Sequence, residues 1–400
     1  MPTSILVWNV QSFTLKKIHA MNRPREVQIF GKRKYTFQMS QRRLRYITEN
    51  IKLKKPDIFV LIEVISGQGK TGSLINSYGA LGAQYLLRKF RDIDPNWCLV
   101  PPLRMINKIQ VEERDGLQQL IKEKQYTESV GIFYRKDKLK FTGPYVWPKT
   151  EDPDDQSPLV VAIPNDGKPT GPYPPEWQTC LPTVTDVNAC QVEFFNADKT
   201  PALFPSTESR NPYLAQFQEL TGKGRTLKVV AVHLPPAEAN ARTAFSRVTS
   251  YFTDLPLLNN EMMLMVGDFN LPANAWYYKG LKIAGNKAED AFTPVFTGTT
   301  VPPSTMFKQS GRATPSQYLK NGKILDNILY RYGKNAKDGN VTGQIIDRVA
   351  NNSLMLNDLT QIQGLSTAIR QKEVFRRFLN FGQLGPAPGT SDHLAVFATL

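Results

Sequence analysis

The segment MMLMVGDFNLP, residues 262–272, is the part of the sequence that best defines the fold. Five consecutive apolar residues predict a buried strand, and Gly-Asp-Phe-Asn follows directly. Asp268 and Asn270 are two positions apart, so on an extended chain their side chains project to the same side. A carboxylate and a carboxamide at the end of an apolar strand predict a polar site on a rigid support. The alternative is a turn, because Gly, Asp, Asn and Pro all favour turns.

Composition and charge narrow the class of protein. The chain has 400 residues, enough for a large core, and its 41% hydrophobic content is typical of a folded, soluble protein. Its 50 Lys and Arg residues exceed its 35 Asp and Glu residues, giving a formal net charge of +15. This excess favours a polyanionic partner, either nucleic acid or anionic lipid, and a merely soluble basic protein is the alternative. Three cysteines without a CxxC spacing argue against a disulfide framework or a cysteine zinc site.

The distribution of apolar residues also bears on location. No apolar run approaches the ~18 residues of a membrane-spanning helix, so we expect no transmembrane segment. The first ten residues, MPTSILVWNV, have no basic residue before their apolar stretch, which is too short for a signal peptide. The sequence therefore predicts a cytoplasmic protein, or one exported by a signal-peptide-independent route.

Predicted strands and helices alternate along much of the chain. Runs rich in Val, Ile, Leu, Phe and Tyr predict strands at 4–9, 57–63, 129–135, 227–234, 263–269, 324–331 and 393–400. Helices are predicted at 40–54, with Ser40 as a candidate N-cap, and at 80–90 and 358–381. This alternation indicates an α/β fold.

Three segments have the character of insertions. Residues 144–205 hold twelve of the 29 prolines, and we expect a long ordered loop or a small subdomain there. Residues 16–45 hold ten Lys and Arg residues against one acid, Glu26, with Tyr35 and Phe37 among them. This pattern is typical of a nucleic-acid contact surface, and a solvated run of charges is the alternative. Residues 340–388 form the third segment.

Titratable residues cluster at the ends of the predicted strands. Two of the three histidines, His233 and His393, lie at strand edges, where imidazole groups can serve as general acid and base near neutral pH. Either histidine alone is more often structural. Asp326 interrupts an apolar run, which is costly unless its carboxylate is paired or metal-bound. Carboxylates and amides are ligands for Mg²⁺ or Mn²⁺ rather than zinc, so the pattern fits hydrolysis of a phosphodiester.

A set of motifs spread along the chain resembles a known family. They occur in the order WNVQ (8–11), DIFVLIEV (57–64), ESVGIFYR (128–135), VVAVHLPP (229–236), MVGDFN (265–270), ILDNILYR (324–331) and SDHLAVFATL (391–400). Together they resemble the endonuclease/exonuclease/phosphatase superfamily, and within it the deoxyribonuclease I branch. The resemblance implies a four-layer α/β sandwich, with two packed mixed β-sheets flanked by helices. It implies one catalytic domain over residues 1–400, with the three segments above as insertions.

The same resemblance implies roles for individual residues. His233 and His393 would be the acid–base pair, oriented by Glu128 and Asp326 respectively. The metal, Mg²⁺ or Mn²⁺ with Ca²⁺ as a further candidate for a structural ion, would be held by Glu63, Asp392, Asn9 and Asp268. Asp268 and Asn270 would hold the scissile phosphate, the metal or the attacking water. Arg210 and Asn9 would contact the substrate, and a surface arginine is the alternative interpretation of Arg210. Asn327 stands where relatives often carry an arginine.

The preferred interpretation is a Mg²⁺-dependent, weakly sequence-selective DNA endonuclease, with RNA as a variant substrate. The alternative is a phosphatase or a phospholipase-type phosphodiesterase that acts on phosphoinositide or sphingomyelin headgroups. A catalytically silent binding protein is disfavoured, because every catalytic position that the resemblance implies is filled. An active DNase would damage its own cell, so we also expect an acidic inhibitor or immunity protein, or delivery of the protein elsewhere as a toxin.

Overall fold

In this computed structural model, strands outnumber helices among the described residues. The structure describes residues 2–19, 28–30, 33–35, 37–65, 78–100, 128–143, 212–254, 257–273, 292–297, 324–336, 341–346, 391 and 393–400. The described strands in chain order are β1 (Ser4–Phe13), β2 (Gln28–Phe30), β3 (Arg33–Tyr35), β4 (Ile58–Ile65), β5 (Trp97–Val100), β6 (Glu128–Arg135), β7 (Leu139–Gly143), β8 (Tyr213–Glu219), β9 (Thr226–His233), β10 (Glu261–Asp268), β11 (Thr293–Pro294), β12 (Asp326–Tyr332), β13 (Thr342–Ile346) and β14 (Ala395–Thr399). The described helices are α1 (Leu15–Ile18), α2 (Phe37–Lys54), α3 (Tyr78–Arg91) and α4 (Glu238–Asp254).

Two six-stranded mixed sheets share the same plan. Their strand orders are β13-β14-β1-β4-β6-β5 and β11-β12-β10-β9-β8-β7. Each sheet has one parallel pair at its centre, β1–β4 in the first and β9–β10 in the second, with antiparallel neighbours on both sides. Strand β14 of the first sheet therefore corresponds to β12 of the second, β1 to β10, and β4 to β9. These corresponding strands also contact one another between the sheets.

The helices cover the outer faces of the two sheets. On the first sheet, Phe90 of α3 packs among Phe59, Trp97 and Phe133, with ring centroids 5.1–5.8 Å apart. On the second sheet, Phe245 of α4 meets Phe269 edge-on at 5.8 Å. Both helices bury a continuous apolar face, which is why their sequences show apolar residues at helical spacing. The predicted four-layer α/β sandwich is confirmed.

A buried ion pair ties the sheets together at one end of the sandwich. The Arg225 guanidinium donates to both carboxylate oxygens of Glu219, at 2.7 and 3.0 Å, and the Thr3 hydroxyl donates to the same carboxylate from the first sheet. Burial by itself raises the pKa of Glu219, but the hydrogen bonds from Arg225 and Thr3 outweigh burial and hold that pKa below its ordinary value. The ion pair lies at the end of the sandwich where β1 and β9 begin. The opposite ends of both strands are therefore available for an active site.

Most predicted elements are present, and some boundaries differ. Helix α2 begins at Phe37, so the prediction of Ser40 as its N-cap is wrong, and Ser40 is buried inside the helix. Strand β1 runs on to Phe13, so Asn9 lies inside the strand rather than at its end. Residues 342–346, within the segment predicted as an insertion from 340, form β13 and pair with β14. Two predicted features, the helix at 358–381 and the proline-rich segment 144–205, lie outside the described residues.

Two basic residues of the 16–45 segment are not on the surface. Lys17 is 1% exposed and Arg43 is 3% exposed, and Arg43 donates a hydrogen bond to the Lys17 carbonyl at 3.2 Å. Neither side chain is therefore available to contact nucleic acid, although both belong to the basic run.

Asn327 is also fully buried, and its side chain bonds both the N–H and the C=O of Phe296. In the described part of the chain, no helix is long and apolar enough to span a membrane.

Candidate active site

The candidate site lies where the central parallel strands of both sheets end. Strands β1, β4, β9 and β10 bring their later residues to this edge, and the antiparallel strands β6 and β12 begin there. The eight predicted site residues that fall within the described ranges converge on it: Asn9, Glu63, Glu128, His233, Asp268, Asn270, Asp326 and His393. Two further predicted residues, Arg210 and Asp392, lie outside the described residues.

The Gly-Asp-Phe-Asn segment is at once a turn and a part of this site. Gly267 has φ +140°, and a Cβ there would lie 1.9 Å from the Val232 carbonyl oxygen of the neighbouring strand, so glycine is required. Asp268 ends β10, and its Oδ1 accepts a hydrogen bond of 2.9 Å from the Asn270 N–H. Asn270 has φ +50°, and its amide donates to the Leu234 carbonyl at 2.7 Å. The prediction of an extended chain through Asn270 is therefore wrong, because the aspartate closes a tight turn.

Each of the two histidines is backed by a carboxylate. Nδ1 of His233 lies 3.0 Å from Oε2 of Glu128, and Nδ1 of His393 lies 2.8 Å from Oδ2 of Asp326. Both imidazole side chains are only 10% exposed. A carboxylate at Nδ1 fixes the ring tautomer and stabilises the charged form of the ring. Each ring is thus oriented with Nε2 directed into the site.

The two rings converge on one carboxylate oxygen. Nε2 of His233 and Nε2 of His393 each lie 3.5 Å from Oδ2 of Asp268. The Asp268 side chain is 2% exposed, and its other oxygen is engaged in the turn. The arrangement presents two separate Nε2 positions at which a proton can be accepted or donated.

A second carboxylate is linked to Asp268 through an amide. Nδ2 of Asn9 donates to Oε1 of Glu63 and to Oδ2 of Asp268, both at 3.0 Å. Burial by itself raises the pKa of Glu63, but the neighbouring His233 and the hydrogen bonds from Asn9 and the Ser12 N–H outweigh it and lower the pKa below its ordinary value. Glu63 is therefore an anion at neutral pH. Its φ of +64° shows that the backbone is constrained at this point.

The donor set suits a hard divalent cation. Potential ligand atoms form two groups, and within each group all of them lie within 4.8 Å of one another. The groups are Glu63, Glu128 and His233, and Asp268, Asp326 and His393. Oxygen atoms of Glu63 and Asp268 converge on the same amide nitrogen, so a cation beside them would neutralise two facing anions. Asn9 itself directs its nitrogen toward these carboxylates. Ligation through its oxygen would require the amide to turn over and lose the bond that Oδ1 accepts from the Gln11 N–H.

Sequence reasoning missed residues that support the site through the backbone. The Ser391 hydroxyl accepts a hydrogen bond from the His393 N–H at 2.9 Å and donates one to the Asn9 carbonyl. The Trp8 indole donates to the His393 carbonyl at 2.9 Å. Ser391 lies two positions before a histidine that the sequence singled out, a spacing typical of serine side chains that bond nearby backbone, and this signal could have identified it.

Comparison with known proteins places the chain in a family. The model of the Endonuclease/Exonuclease/phosphatase family matches residues 6–343, which is most of the chain. The chain belongs to this family. Its fold is accordingly that of a hydrolase family that includes nucleases and phosphatases. The match ends before residues 391–393, so the second histidine is located by the structure rather than by the matched range.

Solved structures of similar shape are distant in sequence. TDP2 from D. rerio, complexed with a single-strand DNA product, is 12% identical, with 99% of this chain and 98% of that chain covered and a TM-score of 0.43. The mannosyl-6-phosphatase from Bacteroides thetaiotaomicron is 11% identical, with 99% and 98% covered and a TM-score of 0.39. The human nocturnin catalytic domain is 10% identical, with 99% and 93% covered and a TM-score of 0.39. Among curated proteins, none matches this chain.

Proposed function

We propose that this protein is a Mg²⁺-dependent phosphodiesterase, and specifically a DNA endonuclease of weak sequence selectivity that nicks one strand at a time. The observation that carries the proposal is the pair of histidines, each backed by a carboxylate, whose Nε2 atoms both lie 3.5 Å from Asp268. Hydrolysis of a phosphodiester requires a base for the attacking water and an acid for the leaving oxygen. Two imidazoles that converge on one carboxylate can supply this pair.

The proposed chemistry assigns a proton step to each ring. One histidine removes a proton from the attacking water at Nε2, and the other donates a proton from Nε2 to the leaving oxygen. Glu128 stabilises the charged form of His233 and Asp326 that of His393, because each carboxylate accepts from Nδ1. Asp268 lies between the rings and orients the water or the phosphate.

We assign metal binding to Glu63 and Asp268, with Asp392 as the further ligand that the family resemblance implies. Asn9, which the resemblance also implies, is assigned the role of an amide donor that aligns the two carboxylates. Mg²⁺ bound there supplies neutralisation of phosphate charge and polarisation of the phosphorus–oxygen bonds. Glu63 is suited to this role because it is ionised and its second oxygen is fixed by the Ser12 N–H at 2.8 Å. Asn270 and Arg210 are proposed to contact the phosphate.

The choice of DNA as substrate rests on charge. A net charge of +15 attracts an extended polyanion, and the attraction should weaken steeply as salt rises. The same positive field favours an acidic protein as inhibitor, as the sequence analysis anticipates. Purification of the tagged protein from its own cells tests that partner: a stoichiometric acidic protein is expected, and its absence would argue against restraint by an inhibitor.

Nicking of supercoiled plasmid by the purified protein with Mg²⁺ tests the proposed function. We expect nicked and then linear DNA, and we expect EDTA, His233→Ala and His393→Ala each to abolish the reaction. The chain has only one other histidine, so His19→Ala is the matched control and should retain activity. If folded wild-type protein binds Mg²⁺ but leaves plasmid and RNA intact, the nuclease proposal is wrong. Phosphoinositides, inositol phosphates and sphingomyelin are then the substrates to test.

A further inference from the structure

A buried lysine lies directly behind the active-site portion of β1. Lys17, in the short helix α1, is 1% exposed, and an ammonium group is costly to bury unless hydrogen bonds replace its water. Its Nζ donates hydrogen bonds to the carbonyl oxygens of Val10 and Gln11. Both carbonyls lie in the bulge where β1 changes its register with β4, between Asn9 and Phe13. The lysine therefore interacts with an irregular piece of backbone.

The two carbonyls belong to the same peptide groups whose N–H bonds face the site. The Val10 carbonyl shares a peptide plane with the Gln11 N–H, and the Gln11 carbonyl shares the next plane with the Ser12 N–H. In a planar trans peptide the C=O and N–H bonds point in opposite directions. The Gln11 N–H donates to Oδ1 of Asn9 at 3.0 Å, and the Ser12 N–H donates to Oε2 of Glu63 at 2.8 Å. Two rigid peptide groups thus connect the ammonium group to the side chains of Asn9 and Glu63.

The bulge adopts a conformation that needs such support. Gln11 has φ +35° and Ser12 has φ +54°, a region that residues other than glycine rarely occupy. Consecutive positive-φ residues are unfavourable and persist only where surrounding contacts hold them. A positive charge at the carbonyl ends of the two peptides also polarises them, which strengthens hydrogen bonds donated from their N–H ends. The position of Lys17 is itself fixed through its carbonyl, which accepts a hydrogen bond from Arg43.

We propose that Lys17 is a positioning residue for the active site. It fixes the two peptide groups of the bulge, and thereby holds Glu63 for metal binding and the Asn9 amide in its position as a donor to Glu63 and Asp268. The inference rests on the proposed function to the extent that Glu63 is taken as a metal ligand. It also gives Lys17 a role different from the one its sequence context predicts, because this member of the basic run acts from inside the protein.

The test compares Lys17→Met with Lys228→Met. The side chain of Lys228 is 21% exposed and is paired with Glu261 at 2.7 Å. Lys228 lies near the start of β9, at the opposite end of that strand from His233. Mn²⁺ binding to the free protein is measured by calorimetry, and plasmid nicking gives kcat and KM. Loss of a group that orients a metal ligand typically costs 10- to 100-fold in metal affinity or activity, so we expect Lys17→Met to weaken Mn²⁺ binding roughly tenfold or more and to lower kcat with little change in KM. Lys228→Met should leave Mn²⁺ affinity unchanged even if it lowers the melting temperature.

The outcomes separate this inference from the proposed function. Wild-type Mn²⁺ affinity in folded Lys17→Met would overturn the positioning role, whether or not the protein cuts DNA. If the wild type binds Mn²⁺ without cutting DNA, the comparison of affinities still decides the role of Lys17. If Lys17→Met does not fold, Lys17→Arg replaces it: a planar guanidinium keeps the charge but cannot place a compact ammonium beneath both carbonyls, so weaker Mn²⁺ binding is expected. Unchanged binding in Lys17→Arg, or failure of both variants to fold, would assign the lysine to structure alone.

Discussion

Replacement of Asp326 by asparagine gives a quantitative test of the histidine–carboxylate couples. Oδ2 of Asp326 lies 2.8 Å from Nδ1 of His393, and the aspartate side chain is 1% exposed. Asparagine keeps the shape but removes the charge. A hydrogen bond to a charged group contributes about 1.5–3 kcal/mol. If the transition state loses this contribution, the nicking rate falls roughly 10- to 150-fold, because 1.36 kcal/mol corresponds to a factor of ten.

The other couple provides an internal comparison. Glu128 lies slightly farther from its histidine, at 3.0 Å, and its side chain is 18% exposed. Water screens the charge of a partly exposed carboxylate, so Glu128→Gln should cost less than Asp326→Asn, at the lower end of the same range. Initial nicking rates at fixed Mg²⁺ measure both variants, with thermal unfolding to show that each is folded. A wild-type rate in Asp326→Asn, or a larger loss in Glu128→Gln, would show that the buried charge of Asp326 does not stabilise the transition state.

Three further predictions concern stability and the backbone of the site. Gly267→Ala would place a methyl group against the Val232 carbonyl at a positive φ, so we expect a loss of at least ~1–3 kcal/mol in the free energy of unfolding by denaturant; an unchanged unfolding midpoint would contradict this. Glu219 has a lowered pKa beside Arg225, so the stability it contributes is present above its unfolded-state pKa and is lost as pH falls through its folded-state pKa. In Glu219→Gln, the melting temperature should therefore decrease less as the pH is lowered than it does in the wild type. An identical decrease in both proteins would count against a stabilising role for the ion pair. Asn327→Ala removes the side-chain partner of three buried backbone groups, the N–H and C=O of Phe296 and the N–H of Ile328, so we expect chemical denaturation to show a loss of about 1–3 kcal/mol for each group left unsatisfied. A change below ~0.5 kcal/mol would show that water replaces the amide.

The strands and the clustering of charged residues at their ends could be predicted because they depend on local pattern. The apolar run before Gly267 gave a strand that is buried at every position, and the isolated Asp326 within an apolar run gave a carboxylate paired with a histidine. Burying a charge among apolar residues is costly, so such an interruption signals a partner. The pairing of these residues with one another came from the family resemblance, since no spacing rule brings residue 326 to residue 393.

Features that depend on tertiary contacts could not be predicted from the sequence. The bulge at Gln11 and Ser12 has no glycine to mark its positive φ values, so β1 was expected to end at Asn9. Lys17 lies in a run of basic residues, and nothing in that run distinguishes a buried lysine from a solvated one. Ser40 fits the pattern of an N-cap, but helix α2 begins earlier, at Phe37, and Ser40 is buried within it. In each case long-range packing outweighs the local preference.

Because the last strand of the first sheet, β14, pairs with β1, most of the chain is synthesised before the candidate active site is complete. Strand β14 pairs with β1, so residues 391–400 return to the strand that begins at Ser4. A nascent chain that has not yet reached residue 393 holds His233 and Glu128 but lacks the second imidazole, and Asp326 has no ring to orient. A ribosome-bound chain can therefore form much of both sheets while one of the two proton-transfer groups is still missing. Under the proposed function, this order of assembly withholds catalysis by the two histidines until translation has passed residue 393.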